Sequence, residues 1–376
     1  MRILHAGASL RGAGYPNAWQ TLCLLRGQPD IQVIECGSWL PEDFHLWKLT
    51  QGSSWRALAS LSGLFLGNLA SLCRVLIRYR RGYVVYVPYP GLFFMWLASW
   101  LPKRIRPRCI IDAYISVWDS LYRDRGAGSG RGIIGRMLHW IEGRGLRAAW
   151  RVIVDTRANR RYMADTFGLK PEQVLALPLA IDESVFVPPT TPKVEGFLNV
   201  LFVGTFVPLH GIDILLAGIR PLLGDPRFHF TIIGDGQSAA LLADLLGSPG
   251  IEWIRGWRPL EEIAAWIADA DICLGVFGGA GKAARVLPFK LYMYLAMGKP
   301  VISQADLSWP DDAPRPPVRG TLTAEDIHAA LLELAEDPDR RQQLGQSGRD
   351  YYRRWLSNAR VTRIWRRLLD SIPARG

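Results

Sequence analysis

Hydrophobic positions in the second half of the chain alternate between two rhythms. "LNVLFVG" (198–204) is a β-branched apolar run that ends in glycine, and the following "HGIDILLAGIRPLL" is apolar at Ile212, Leu215, Leu216 and Ile219, one face of a helix. "FHFTIIGDG" predicts a second strand, "QSAALLADLL" a helix, "IEWIRGW" a short strand, "PLEEIAAWIADA" a helix with Pro at its start, and "DICLGVF" a buried strand. "VLPFKLYMYLAMGKPVIS" then predicts a helix that runs straight into a strand. Alternation of this kind predicts a parallel sheet covered on both faces. Ligands of such sheets bind beyond the carboxyl ends of the strands. Those ends read Gly204-Thr205, Gly234-Asp235-Gly236, Gly256-Trp257 and Phe277-Gly278-Gly279.

The first half repeats the theme less regularly. "RILHAG", "IQVIECG", "YVVYVPYPG" and "CIIDAYIS" read as strands, and "RAAWRVIVDTRANRRYMADTFG" as a helix end, a strand and a helix, before "VLALPLAID" closes the half. "VFVPPTTPKVEGF" is rich in Pro and Thr and reads as a linker. At the far end Val361, Ile364, Trp365, Leu368 and Ile372 share one helical face, with arginines on the rest, so this helix is expected to dock on something apolar. The domain reading is residues 1–187, a linker at 188–197, residues 198–355, and a last helix at 356–376.

Charge separates the halves. The first 190 residues hold 24 Lys and Arg against 13 Asp and Glu, while the remainder holds 21 of each, so the first half carries the whole +11. That points to an anionic partner for the first half: a lipid surface, a phosphate-bearing substrate or nucleic acid. The basic residues are scattered among Trp and Leu and form no nucleic-acid-binding module, which sets nucleic acid aside. Five separated cysteines without a C-x-x-C predict neither a disulfide framework nor a zinc site and favour a reducing cytoplasm. "ALASLSGLFLGNLASLC" and "YVVYVPYPGLFFMWLASWL" approach the length of a membrane span. Ser, Gly and Asn dilute the first, while Pro88, Pro90 and Gly91 break the second, so a core helix or a helix in the membrane interface is expected instead.

The motifs differ in specificity. "GASLRGAGY" follows the first strand but is neither G-x-G-x-x-G nor a P-loop; Gly12 and Gly14 would still admit a ligand close to the backbone, unless this is only a flexible turn. The paired acids Asp269 and Asp271 sit between a helix and a buried strand, where capping explains them better than a metal. The "GDG" glycines after "FTII" are accounted for by a tight turn. Lys290 is more specific. Pro288 suits a helix start, and a cation at that end opposes the dipole unless it helps bind an anion there. The alternative is a solvated lysine. Gly298 ends the helix and Pro300 prevents its continuation.

In sum these segments resemble the retaining GT-B-fold glycosyltransferases of family 4. "VLFVGTFVPLHGIDILLAGI", "FTIIGDG", "IRGWRPLEEI" and "DADICLGVFGGAGKAARVLPFKLYMYLAMGKPVIS" fall in that family's order, and "LPLAID" takes the place of its Pro-Asn-Gly-x-Asp. The resemblance implies an α/β architecture of two Rossmann-like parallel-sheet domains facing a cleft, with the last helix crossing back to the first. It implies transfer of a sugar from a nucleotide-sugar, with retention, without metal and without a further cofactor. Donor contacts would come from Gly204, Thr205, His210, Gly234, Trp257, Lys282, Lys290, the helix N-terminus at Leu291, and Met293. Acceptor-side positions would be Gly12, Gly14, Tyr15 and Asp112, with Asp119 as the catalytic candidate because it lies where the family often carries a histidine.

Departures from the family pattern are specific. Thr205 and His210 stand where two cations usually hold the diphosphate, and the family's two glutamates fall on Arg285 and Met293. Lys282 and Lys290 would supply charge from the other side. The basic, apolar first domain is expected to meet a lipid-linked or glycan acceptor at the cytoplasmic face of an anionic membrane. The competing expectation is a non-catalytic member that serves as a binding or scaffold subunit of a polysaccharide assembly complex.

Overall fold

The computed structural model describes residues 1–11, 15–41, 54–124, 130–189, 196–245 and 247–372, with the side chains of 54–59 excepted. It separates into two compact units, Met1–Leu177 with Val361–Gly376, and Pro178–Arg360.

The first unit is built on a six-stranded parallel sheet in the spatial order Gln32–Glu35, Arg2–His5, Val84–Val87, Cys109–Asp112, Arg151–Val154, Val174–Ala176. Alternate residues of each strand enter opposite cores, as the period of two requires. Leu4, Val85, Val87 and Ile111 pack with Phe94, Met95 and Phe167 on one face. Ile3, Val84, Tyr86 and Ile110 pack on the other with Val361, Trp365 and Leu368. The last helix, Asn358–Asp370, therefore lays its expected apolar face on this sheet, and Trp365 meets Tyr86 edge-on with ring centres 5.2 Å apart.

The two long apolar segments resolve differently. The Pro-broken one becomes the strand Val84–Val87 and the short helix Leu92–Ala98. The other becomes a 25-residue helix, Ser54–Arg78. Leu64, Asn68, Ser71, Leu72 and Val75 form its buried stripe. Ser71 Oγ accepts from the Gly7 N–H (2.9 Å) and Asn68 Oδ1 from the Ala8 N–H (3.2 Å), so the helix is knitted to the end of the first strand.

The second unit has a six-stranded parallel sheet in the order Ile251–Arg255, Phe228–Gly234, Leu198–Val203, Ile272–Leu274, Val301–Gln304, Arg319–Thr321. Counted along the chain this is 3-2-1-4-5-6, the order of dinucleotide-binding sheets, and it reverses between Leu198–Val203 and Ile272–Leu274. The expected helices form at Ile212–Ile219, Leu260–Asp269 and Phe289–Ala296. "QSAALLADLL" gives only Ala240–Ala243, because the chain continues in three-residue turns, with Leu245 N–H to Leu242 O (3.0 Å) and Ser248 N–H to Leu245 O (3.1 Å). Ala324–Glu336 begins with a reciprocal cap between Thr323 and Asp326, and Pro338–Tyr351 follows it.

Candidate functional site

At the point where the strand order of the second unit reverses, two loops are pressed together. Residues 204–211 leave the strand Leu198–Val203, and residues 275–281 leave Ile272–Leu274. The Phe277 N–H donates to the His210 carbonyl (3.0 Å), which ties one loop to the other. Close approach dictates the glycines. A Cβ on Gly211 would lie 2.3 Å from the Phe277 carbonyl carbon, and one on Gly278 2.5 Å from the Leu209 oxygen. Gly234, at φ +137°, could carry a Cβ only 1.9 Å from the Gly204 oxygen, so more than a tight turn excludes a side chain there.

Gly204 lies against the side chains of two of the expected donor residues. A Cβ there would meet His210 Cε1 and Lys290 Nζ, each at 2.8 Å. Lys290 is not a surface lysine. It is 5% exposed, its Nζ donates to the Gly275 carbonyl (3.2 Å), and the same nitrogen sits 3.6 Å above the centre of the Phe202 ring. Burial pulls its pKa well below the ordinary lysine value.

His210 is buried as well, and its Nδ1 pairs with the Thr205 carbonyl. A carbonyl only accepts, so that nitrogen carries the hydrogen. Burial first, and then the nearby charge of Lys290, hold the imidazole pKa well below its usual value, with a smaller contribution from Lys282. At neutral pH His210 is therefore an uncharged ring, unlike the cation it replaces in the resembling family. Lys282 opens the helix Lys282–Arg285 and is partly exposed.

The next strand supports the second loop. Ser303 Oγ accepts from Val276 N–H (3.0 Å) and donates to Val276 O (3.1 Å); Gln304 accepts from Gly279 N–H (2.9 Å) and donates to Gly279 O (3.1 Å). Tyr294 Oη accepts the Val203 N–H (3.0 Å) and fixes the helix Phe289–Ala296 against the first strand. Sequence reasoning passed over Ser303, Gln304 and Tyr294. Polar groups at the end of an otherwise apolar "VISQ" were the available signal.

Other expected donor residues fall as follows. The Leu291 N–H is used within the chain, donating to Pro288 O (2.9 Å), and its side chain is fully buried. Met293 is 5% exposed on a helix buried from Lys290 to Ala296. Arg285 turns back to the Gly281 carbonyl (3.3 Å). Trp257 is exposed beside Gly256, whose N–H donates to Gly234 O (3.3 Å). Asp271 accepts from the Asn199 N–H (2.7 Å) and Asp269 from the Asn199 side chain, so both acids trim the start of a strand. A hollow between Asn199, His229, Trp266 and Asp269 lies at the amino ends of the strands, away from the ligand crevice of a parallel sheet.

In the first unit Gly12 and Gly14 lie outside the described residues. Tyr15 stacks on Tyr89 with ring centres 5.6 Å apart. Asp112, the expected acceptor-side acid, ends the strand Cys109–Asp112, is 2% exposed and accepts the Tyr86 hydroxyl. Burial raises its pKa to about 7. Asp119 is buried and accepts the Tyr162 hydroxyl (2.6 Å). The loop before it is fixed by Glu142, whose carboxylate accepts from Ser116 Oγ, Val117 N–H and Trp118 N–H, each at 2.9 Å. Burial also pushes Glu142 up to about 7, against the pull of those donors.

Two parallel-sheet Rossmann-like units define the class: the chain has the GT-B fold of glycosyltransferases. It belongs to the glycosyltransferases by both halves, residues 2–180 matching the Glycosyl transferase 4-like domain and residues 198–337 the Glycosyl transferases group 1 family. It is 28% identical over 130 residues to a D-inositol 3-phosphate glycosyltransferase of Geodermatophilus obscurus, covering 32% of this chain and 27% of that protein. The matched part is thus about a quarter of that relative's length. Anabaena HepE in complex with UDP superposes with a TM-score of 0.68 at 13% identity, covering 99% of this chain and 100% of HepE. A sucrose-phosphate synthase from Thermosynechococcus elongatus gives 0.66 at 17% identity, with 99% and 100% covered. At such identities these likenesses establish the fold alone.

Proposed function

We propose that the protein transfers a sugar from a nucleotide-sugar to a lipid-linked or glycan acceptor at the cytoplasmic face of a membrane, with retention at the anomeric carbon. One observation carries this reading: a buried lysine, Lys290, stands beside Gly204 at the strand-order reversal of a 3-2-1-4-5-6 sheet. A buried cation needs an anion, and a diphosphate in that crevice is the anion such sheets accommodate. The bond from the anomeric carbon to the diphosphate oxygen breaks and its electron pair leaves with the diphosphate, an acceptor hydroxyl oxygen bonds to the anomeric carbon, and the hydroxyl proton ends on the released diphosphate. Lys290, with Lys282 beside the same crevice, stabilises that charge, and the water-poor setting strengthens the effect. HepE was crystallised with UDP-glucose, which makes a uridine donor the first to try. Asp119 is the acceptor-side candidate, and an Asp119→Asn variant with unchanged turnover would remove it from that role.

One feature favours the non-catalytic alternative. Arg285 and the buried Met293 stand where carboxylates are expected to contact the donor. A panel of nucleotide-sugars in a thermal-shift assay, followed by product analysis with a membrane extract as acceptor, separates the readings. Selective stabilisation with product formation supports the transferase. Stabilisation without product favours the binding subunit. No stabilisation by any nucleotide overturns the donor site.

A further inference from the structure

The first unit exposes an apolar face that its own packing leaves uncovered. Behind its buried stripe, the helix Ser54–Arg78 presents Leu66, Leu69 and Ile77 to solvent, and Ile77 is 71% exposed. Within the window Ser60–Arg78 only 28% is buried, although its mean hydropathy is 1.5. A helix that is apolar all round needs a second apolar environment. Leu92–Ala98 packs against this helix on one side and against Ile133–Ala148 on the other. Four rings link the three helices: Phe65 to Trp96 at 6.3 Å, Trp96 to Trp100 at 6.1 Å, and Trp100 to Trp140 at 6.3 Å.

The outer end of this chain of rings is held by two arginines. Trp100 is 56% exposed, yet the Arg144 guanidinium lies 3.8 Å from its ring centre and is held by Ser99 Oγ (2.9 Å). Arg106 donates to the Ser99 and Leu101 carbonyls (2.9 and 2.8 Å) and secures the turn on either side of Trp100. An exposed indole stacked by a guanidinium matches the chemistry of a membrane–water interface.

Charge identifies the occupant. From Ser54 to Arg108 the sequence has nine Lys and Arg and no Asp or Glu. The one carboxylate of Ile133–Ala148, Glu142, is 7% exposed and turned inward onto Val117 and Trp118. A protein partner with acidic rim residues would also be attracted, but an apolar face whose own helices turn only cations outward suits an anionic lipid surface best. We infer that these three helices dock in the headgroup region of an anionic bilayer, with Ser54–Arg78 lying in the interface. Its bonds from Asn68 and Ser71 to the Gly7–Ala8 backbone would be severed if it crossed the membrane. The inference concerns the surface and holds whichever sugar, if any, is transferred.

Flotation of the full chain tests it, using vesicles of phosphatidylcholine with and without phosphatidylglycerol at low salt. Met137 is exposed on Ile133–Ala148, and Lys103 and Arg104 are exposed just after Trp100, so the paired variants L66E/M137E and K103E/R104E change only exposed side chains, and circular dichroism checks their folding. The wild type should float with the anionic vesicles alone, and each paired variant should lose at least tenfold in bound fraction. A wild type that stays at the bottom with both vesicles overturns the inference. So does an L66E/M137E protein that floats like the wild type. A lipid-free dimer that L66E/M137E converts to monomer would reassign the face to a second copy of the chain.

Discussion

Lys290 holds its ammonium 3.6 Å above the ring of Phe202, a residue of the strand whose end forms the candidate site. The ring and the Gly275 carbonyl only partly replace water around the charge. The folded protein therefore holds the Lys290 proton less tightly than the unfolded chain does.

Removing that amine should separate binding from stability. Lys290→Met is expected to weaken UDP binding ten- to hundredfold, the equivalent of about 1.5–3 kcal/mol for a charge-assisted hydrogen bond. Its melting temperature should equal or exceed the wild type, with the excess growing as pH falls, because the depressed pKa makes the charged amine a cost to folding. Calorimetry and thermal denaturation side by side check both. An unchanged dissociation constant would dismiss Lys290 from the donor site.

Binding should also take up protons. The pKa values of His210 and Lys290 are both depressed, and an arriving diphosphate raises both towards their ordinary values. The affinity for UDP is then expected to fall as pH rises through the interval between each group's depressed value and its ordinary one. Titrations in two buffers of different ionisation enthalpy measure the protons taken up. His210→Gln should reduce the number.

Met293→Glu tests how fixed the helix is. The carboxylate would enter a site 5% exposed, and the expected result is a less stable protein, by about 1–3 kcal/mol. A melting temperature near that of the wild type together with tighter UDP binding would show instead that the donor ribose reaches this position and pairs with the new group.

Two buried carboxylates should give the first unit an inverted pH response. Asp112 and Glu142 are raised to about 7 from ordinary values near 4, so the folded state binds their protons more tightly than the unfolded chain. That stabilisation is complete below the ordinary values and is lost as pH rises to about 7, on the order of a few kcal/mol for the pair. Asp112→Asn, which mimics the protonated form, should gain melting temperature relative to the wild type at pH 8 and lose that advantage at pH 5. A constant difference across the range would refute the assignment.

Much of this architecture was legible from local pattern. Runs such as Leu198–Val203 and Phe228–Gly234 are apolar on both faces and end in glycine, which dictates buried parallel strands, and the face shared by Val361, Trp365 and Leu368 dictates a docked last helix. Gly298 and Pro300 fixed the end of the helix Phe289–Ala296 without help from the rest of the chain. The sequence also marked Gly204, His210 and Lys290 individually.

Only tertiary contact decided what those residues are. Whether a lysine is solvated or buried depends on Phe202, Gly204 and Gly275, which arrive at the carboxyl ends of two other strands. His210 becomes a neutral ring, and the Asp112 carboxyl is pushed up to about 7, for the same reason: protonation follows from the burial that surrounding elements impose, which no local pattern encodes. The helix Ser54–Arg78 shows the limit most directly. Its composition permits a core helix, a span or an interfacial helix, and the bonds of Asn68 and Ser71 to the first strand's end choose which of its faces is buried.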